Sequence, residues 1–171
     1  MKKIIAIYIL GIAVLLLCCS AGCSKSSSSM SLRDAFVDNE EIRELFSEVA
    51  SASINLIDVT KMYDITKTYY HYDNGLFRGQ QKEFLVDEET VEAINKIREA
   101  IPKVTICMRP ISNSNYVFEG RLCVFFSVVK KSTGCFSDYY QEDLVYSLYE
   151  LPAQWYERIG EGWYFRRGRM P

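Results

Sequence analysis

Apolar residues recur along this chain with two different periods, and each change of period marks a boundary between helix and strand. The first helical stretch has one apolar face at three-and-four spacing, formed by Ile42, Leu45, Phe46, Val49 and Ala52. Asp38 precedes this stretch, and Glu41 completes a capping-box pattern. We therefore predict a main helix that begins after Asp38. At residue 54 the pattern changes, and the β-branched residues of 54–59 predict extended chain.

A second helix is predicted after Asp87, a capping residue that Glu88 and Glu89 follow in the first turn. Its apolar face is formed by Val91, Ile94, Ile97 and Ile101. Pro102 ends it, because proline has no N–H to donate and clashes with the preceding turn.

Alternating and continuous apolar runs predict the strands. Residues 65–72 are followed by Asn74-Gly75, which favours a tight hairpin turn. Residues 104–109 alternate, and 116–129 is apolar on both faces, as a central strand requires. A turn is expected at 132–134.

Towards the end of the chain, residues 141–151 suit either a short helix or a strand. Residues 155–159 and 163–166 predict a closing hairpin. The expected fold class is α+β, with two main helices packed on an antiparallel sheet of about five to seven strands.

The N-terminal segment has a different pattern. Lys2 and Lys3 are followed by an apolar run, 4–17, and by the small residues of Ala21-Gly22-Cys23. This is the layout of a secretory signal peptide, and the run is shorter than the ~20 residues of a membrane-spanning helix.

The ending of this segment resembles the lipobox of bacterial lipoproteins. Gly22 fits the small residue before the lipid-bearing cysteine, whereas Ser20 departs from the usual leucine. Cys23 is the expected lipidation site, and Cys18 and Cys19 are the alternatives. The resemblance implies a diacylglyceryl group on sulfur, which gives a membrane anchor of two chains or more.

The expected organisation is a signal peptide at 1–22, a lipidated cysteine and serine-rich tether at 23–31, and one α+β domain at 32–171. We expect this domain in the cell envelope, on the outer side of the cytoplasmic membrane or in the outer membrane. The lipid on Cys23 is expected to attach the domain to the membrane, which is its expected partner.

Composition narrows the functional classes. The chain has a net charge of −2, and loss of Lys2 and Lys3 makes the remainder more acidic, which argues against nucleic-acid binding. A group of arginines near the C-terminus is interpreted as solvated strand ends: Arg158, Arg166, Arg167 and Arg169. Beyond the leader, Cys107, Cys123 and Cys135 form either one disulfide and one thiol, or three thiols.

No motif predicts a catalytic centre, a cofactor or a metal site. The single histidine, His71, has no spacing that pairs it with a nucleophile. The paired carboxylates at the two predicted helix starts are explained by the helix dipole. The leading expectation is therefore a non-catalytic module that binds a protein or a glycan, and the alternative is a small envelope hydrolase with an unlocated site.

The aromatic residues of the C-terminal part are the candidate binding groups. Trp163 and Phe165 share one face of a predicted strand and are expected to face the core. Tyr164 is then expected to face outward as the principal contact residue. Tyr156 and Tyr140 are weaker candidates on the same outer surface.

Lipidation predicts a defined mature N-terminus. Mass spectrometry of the membrane-bound protein is expected to show a chain that begins at a diacylglyceryl-modified Cys23. The Cys23→Ser protein is expected to be unprocessed or released, because a hydroxyl cannot form the thioether. An intact Met1, or an unmodified chain beginning at Ser24, would contradict this prediction.

Overall fold

The computed structural model describes residues 30–59, 69–79, 83–113, 116–131 and 139–169. These parts of the chain form three α-helices and an eight-stranded antiparallel sheet in the order β3-β2-β1-β4-β5-β6-β8-β7. The predicted α+β class is confirmed, with slightly more strands than expected. Cys23, the tether up to residue 29, residues 65–68 of the predicted extended segment, and the turn at 132–134 with Cys135 lie outside the described residues.

The elements follow one another in two groups, each opened by helix. The helices are α1 (Leu32–Asp38), α2 (Glu40–Val59) and α3 (Glu88–Ala100). The strands are β1 (Tyr70–Asp73), β2 (Leu76–Arg78), β3 (Glu83–Leu85), β4 (Thr105–Asn113), β5 (Tyr116–Lys131), β6 (Tyr139–Tyr146), β7 (Glu157–Gly160) and β8 (Trp163–Arg169).

The start and the end of the first main helix differ from the prediction. Asn39, not Asp38, caps α2, because its side-chain oxygen accepts a hydrogen bond from Ile42 N at 3.2 Å. Asp38 is instead the last residue of α1. The prediction of extended chain at 54–59 is also wrong, because α2 continues to Val59. Burial of one face against the sheet and α3 outweighs the weak strand preference of β-branched residues.

The second predicted helix is confirmed at both ends. Asp87 is the N-cap of α3 and accepts hydrogen bonds from the Thr90 N–H at 2.8 Å and the Thr90 hydroxyl at 2.9 Å. The helix ends at Ala100, and Ile101 is its C-cap directly before Pro102.

Both predicted hairpins are present. Asn74 and Gly75 have φ angles of 46° and 81° and join β1 to β2, as a turn with two left-handed residues requires. The closing hairpin joins β7 to β8. The ambiguous segment at 141–151 forms most of β6 up to Tyr146, followed by an irregular connection. The long β5 is the central strand, as predicted, with β4 and β6 on either side.

The main core lies between the helices and one face of the sheet. Its centre is an aromatic cluster in which Phe46 of α2 packs edge-on against Phe126 of β5, with ring centroids 4.7 Å apart. Trp163 of β8 lies 6.0 Å from Phe126 and 4.7 Å from Phe36 of α1. This cluster joins both N-terminal helices to the middle of the sheet.

A second, smaller core lies on the opposite face of the sheet. It consists of Cys107, Ile111, Cys123, Phe125, Val145, Leu151, Tyr156 and Tyr164, with Trp155 packed against it. Leu151, Trp155 and Tyr156 belong to the β6–β7 connection, which folds back over the strands. The central strands are therefore covered on both faces.

Truncation at the aromatic cluster predicts a large loss of stability. Phe126→Ala is expected to lower the free energy of unfolding by about 3–5 kcal/mol, because Phe126 is fully buried and the helices cannot collapse onto the space it leaves. Val129→Ala is the matched control on the same strand, since Val129 is 49% exposed. Chemical denaturation of the two variants measures the difference. Equal unfolding midpoints would contradict the placement of Phe126.

Candidate functional site

Two consecutive carboxylates, Glu142 and Asp143, are buried on opposite faces of β6. Neither side chain is exposed by more than 1%. Successive residues of a strand point to opposite faces, so each carboxylate has its own set of partners. Burial of a charge is tolerated only when it is paired and hydrogen-bonded, and both groups meet this condition.

Asp143 lies in a polar row that crosses the second face of the sheet. One carboxylate oxygen accepts hydrogen bonds from the Ser127 hydroxyl and the Gln141 amide, both at 2.6 Å. The other accepts two from Arg166, at 2.7 Å from Nη2 and 3.2 Å from Nε. Ser127 and Arg166 are its direct cross-strand neighbours on β5 and β8. With both oxygens engaged, Asp143 cross-links three strands.

Glu142 forms an equivalent network on the helical face, where the folded domain begins. Its Oε2 accepts hydrogen bonds from Leu32 N at 3.0 Å and Lys130 Nζ at 3.1 Å, and its Oε1 accepts one from Arg167 Nη2. Lys130 also donates to the Met30 carbonyl at 2.9 Å. The segment that leads out of the predicted tether is thus fixed to the sheet at its first described residues.

The protonation of Glu142 reflects this network. Burial by itself raises the pKa of the carboxyl group, but hydrogen bonds from Arg167, from the Leu32 N–H and from Lys130 outweigh burial. The pKa of Glu142 is therefore lower than usual, and the group stays ionised at neutral pH.

The interpretation of the C-terminal arginines as solvated strand ends is wrong for Arg166 and Arg167. Both guanidinium groups are partly exposed, but each is bonded to a buried carboxylate on the neighbouring strand. The adjacent acidic pair in 139–146 and the adjacent basic pair in 163–169 were the available signal. These two pairs become a specific signal only through the pairing of β6 with β8, which local sequence does not determine.

The predicted outward surface of aromatic residues is also wrong. Tyr164 and Tyr156 are only 4% and 5% exposed and belong to the second core. Tyr140 is partly buried on the other face, where Arg167 lies 4.9 Å from its ring centroid. Trp163 and Phe165 face the main core, as expected. Tyr164 points away from them, as predicted, but the β6–β7 connection covers that face.

An open groove lies where α2, the β7–β8 hairpin and the β6–β7 connection meet. Its larger half has a volume of about 640 Å³, and a second half of about 520 Å³, which shares lining residues with the first, extends toward α1. Ser47 of α2 and Trp163 of β8 line both halves. Exposed apolar side chains lie at its two ends, Val37 at one and Leu148 at the other.

Two glycines of the β7–β8 hairpin, Gly160 and Gly162, line this groove. Gly162 has a φ of 70°, and a Cβ there would lie 2.9 Å from the Tyr146 ring. A Cβ on Gly160 would lie 3.6 Å from the Phe36 ring, which is ordinary contact. Only Gly162 therefore requires glycine on both conformational and steric grounds.

Cys107 is the cross-strand neighbour of His71, but its thiol is hydrogen-bonded with Tyr69. Cys107 and Cys123 are buried free thiols, and burial raises the pKa of Cys107 and raises that of Cys123 to about 11. Protonated thiols are poor nucleophiles and poor metal ligands. His71 is exposed on β1, with its ring stacked on Tyr69 at 6.4 Å. Among the described residues, His, Cys, Asp and Glu side chains form no group of three suited to a metal ion.

Comparisons with known proteins give no relative for this chain: no protein family, curated protein or solved structure matches it. In the described part of the chain, no helix is long and apolar enough to cross a membrane.

The Glu142 network predicts a specific dependence of stability on pH. A carboxyl group whose pKa is lower in the folded state stabilises the fold above its unfolded pKa, near 4.3, and this contribution is lost as the pH falls through the folded value. Glu142→Gln is expected to lose about 3–5 kcal/mol at pH 7, because Arg167 and Lys130 lose their buried partner. It is also expected to flatten the acid limb of the stability profile.

Glu157→Gln is the control for this experiment, because Glu157 pairs with Arg33 at the surface. Little change in stability is expected there. Denaturant unfolding between pH 7 and pH 3 measures both variants. A Glu142→Gln protein whose stability falls with acid as steeply as the wild type's would contradict the prediction.

Proposed function

We propose that this chain is a lipid-anchored protein of the cell envelope whose domain is a non-catalytic binding module, and that the module binds an extended segment of another polypeptide. The anchor rests on the N-terminal segment that ends at Cys23. The binding function rests on one observation: the groove beside Trp163 borders an edge strand of the sheet.

This edge strand is β7. It pairs with β8 on one side and lies at one end of the order of the eight described strands in the sheet. An edge strand presents unpaired N–H and C=O groups along its outer side, which an added strand can satisfy. Ile159 and Gly160 of β7 line the groove. A polypeptide added along β7 would pair with backbone groups other than the Gly160 carbonyl, which accepts a hydrogen bond from Arg158 Nε at 3.4 Å, and would place alternate side chains over Trp163.

The side chains around the groove support a peptide partner. Val37 and Leu148 give it apolar ends, and Trp163 forms part of its floor. Its rim carries both signs of charge, with Arg43 and Glu44 on α2 and Glu161 on the hairpin. A strongly acidic or strongly basic partner would meet repulsion on this rim, so a segment of low net charge fits best.

The buried carboxylates support binding over hydrolysis. General acid–base catalysis needs a carboxyl group that can exchange a proton with a substrate. Asp143 accepts four hydrogen bonds, and Glu142 is occupied by two cations and a backbone N–H. Both groups stabilise the sheet, and neither is directed into the groove.

The predicted tether restricts where the partner lies. Even fully extended, the chain from Cys23 to Met30 spans no more than ~25 Å. Lys130 and Glu142 hold Met30 and Leu32 on the sheet, so the tether meets the domain at a fixed point. A partner bound by this domain is then itself a membrane-proximal polypeptide of the same envelope compartment.

Site-specific photo-crosslinking in cells that produce the full-length protein tests this proposal. A photoreactive amino acid at Leu148, 58% exposed in the groove, is expected to give crosslinks to a discrete protein. Leu85 is the matched control, because it is also exposed but lies on β3 at the opposite edge of the sheet.

A blocking substitution links the crosslink to the groove. Ser47→Arg places a long side chain in both halves of the groove from an exposed helical position and is expected to abolish crosslinking at Leu148. Asn55→Arg makes a similar change beyond the groove on the same helix and is expected to leave it intact. The proposal fails if Leu85 crosslinks equally, or if Ser47→Arg has no effect. Retention by an envelope glycan, without protein crosslinks, would favour a glycan-binding module.

A further inference from the structure

Arg109 of β4 is a partly buried cation for which the described part of the chain supplies no anionic partner. Its guanidinium carbon lies 4.2 Å from the ring centroid of Phe125, which is buried on the neighbouring strand. Its Nε atom is enclosed and has no hydrogen-bond partner. The ion pairs found among the described residues leave Arg109 out, whereas Arg166 and Arg167 each pair with a buried carboxylate.

The ionisable groups that the structure describes around Arg109 supply no compensating charge. Its positive charge acts on Tyr69, Cys107, Cys123 and Tyr156. Burial nevertheless raises the pKa of each of these groups, to about 12 for Tyr69 and about 11 for Cys123, so all four stay neutral at pH 7. Three described acids on this face have partners of their own. Asp143 is engaged by Ser127, Gln141 and Arg166. Asp73 and Glu83 lie 3.5 Å and 3.7 Å from the guanidinium group of Arg78 on β2.

An enclosed guanidinium nitrogen without an acceptor costs free energy. Contact with the Phe125 ring leaves the enclosed Nε–H without an acceptor. The two Nη groups are not among the enclosed atoms, so they can donate to an acceptor that approaches from outside the chain. A carboxylate is planar and accepts two parallel hydrogen bonds from arginine.

The surface beside Arg109 is a pair of exposed aromatic rings. The β1–β4 register pairs Tyr70 with Met108 and His71 with Cys107, which places Tyr69 opposite Arg109. Tyr69 is half exposed, and its ring stacks on exposed His71 with 27° between the planes. Two stacked rings present a flat surface of the kind that packs against an aromatic ring or the face of a sugar.

We infer that Arg109, with Tyr69 and His71, forms a binding site for a carboxylate carried on a ring. The carboxylate pairs with the guanidinium group, and the ring of the ligand packs against Tyr69. This site lies on β1 and β4, on the sheet face opposite the helices and away from the groove beside β7. It is therefore independent of the proposed peptide-binding function.

Titration of the full-length protein in a non-ionic detergent tests the site. The probes are benzoate, glucuronate and inorganic phosphate, each followed by ligand-observed NMR. Benzoate and glucuronate distinguish an aromatic acid from a sugar acid, and phosphate tests for an anion site without ring recognition. At least one ring acid is expected to bind saturably and more tightly than phosphate.

Arg109→Met removes the charge and keeps most of the stem, and it is expected to weaken ring-acid binding by about tenfold or more. Arg109→Lys keeps the charge but not the planar fork and is expected to give an intermediate loss. Arg98→Met is the matched control, since Arg98 of α3 also stacks on an aromatic ring, 5.1 Å from the centroid of Tyr72, but faces the other side. It is expected to bind like the wild type.

Tyr69 variants test the ring surface separately. Tyr69→Phe is expected to retain ring-acid binding, and Tyr69→Ala is expected to lose it while leaving the weak response to phosphate. Thermal melts provide a readout that needs no ligand: Arg109→Met is expected to melt at or above the wild-type temperature, because it removes an unsatisfied buried group.

Four results would overturn the inference. They are no saturable binding of either ring acid, unchanged binding by Arg109→Met, phosphate bound as tightly as the ring acids, or a melting temperature of Arg109→Met well below that of the wild type. The last result would make Arg109 a structural part of the second core.

Discussion

The central strands of this protein are apolar on both faces, and the rest of the fold is arranged to cover them. Phe126, Leu144 and Phe165 form one row across β5, β6 and β8, and Phe125, Val145 and Tyr164 form the row behind it. Neither row tolerates water, so the sheet must be enclosed from two sides. The helices cover the first row, and the β6–β7 connection covers the second.

Double coverage explains why the two carboxylates within β6 are fully paired. Glu142 and Asp143 interrupt an otherwise apolar stretch of β6 on opposite faces. Each is stable only because β8 brings Arg167 or Arg166 to the same level of the sheet. The register of β6 with β8 is thereby specified twice, since a slip of one residue would move both carboxylates away from their cations.

The candidate binding features lie where this coverage ends. At the β7 edge, the helix layer and the hairpin leave the groove over Trp163. On β1 and β4, the second core gives way to the exposed rings of Tyr69 and His71, with Arg109 at the boundary. A cation can remain unpaired there because stacking on Phe125 compensates part of its lost hydration. The same boundary leaves a ligand free to reach it.

Local sequence determined the features that depend on a few neighbouring residues. Asn74-Gly75 specified a hairpin through its backbone freedom, Asp87 and Pro102 bounded a helix, and the two-sided apolar pattern of 116–129 required a central strand.

Features that depend on residues distant in sequence were decided only by tertiary structure. The extension of α2 to Val59 required packing against the sheet and α3. Tyr164 is buried because the β6–β7 connection folds over its face of the sheet. The strand pattern alone does not determine whether that face is covered or exposed. The pairing of Glu142 with Arg167 and the isolation of Arg109 followed from strand order, because a charge is paired or unpaired only with respect to what the fold brings beside it.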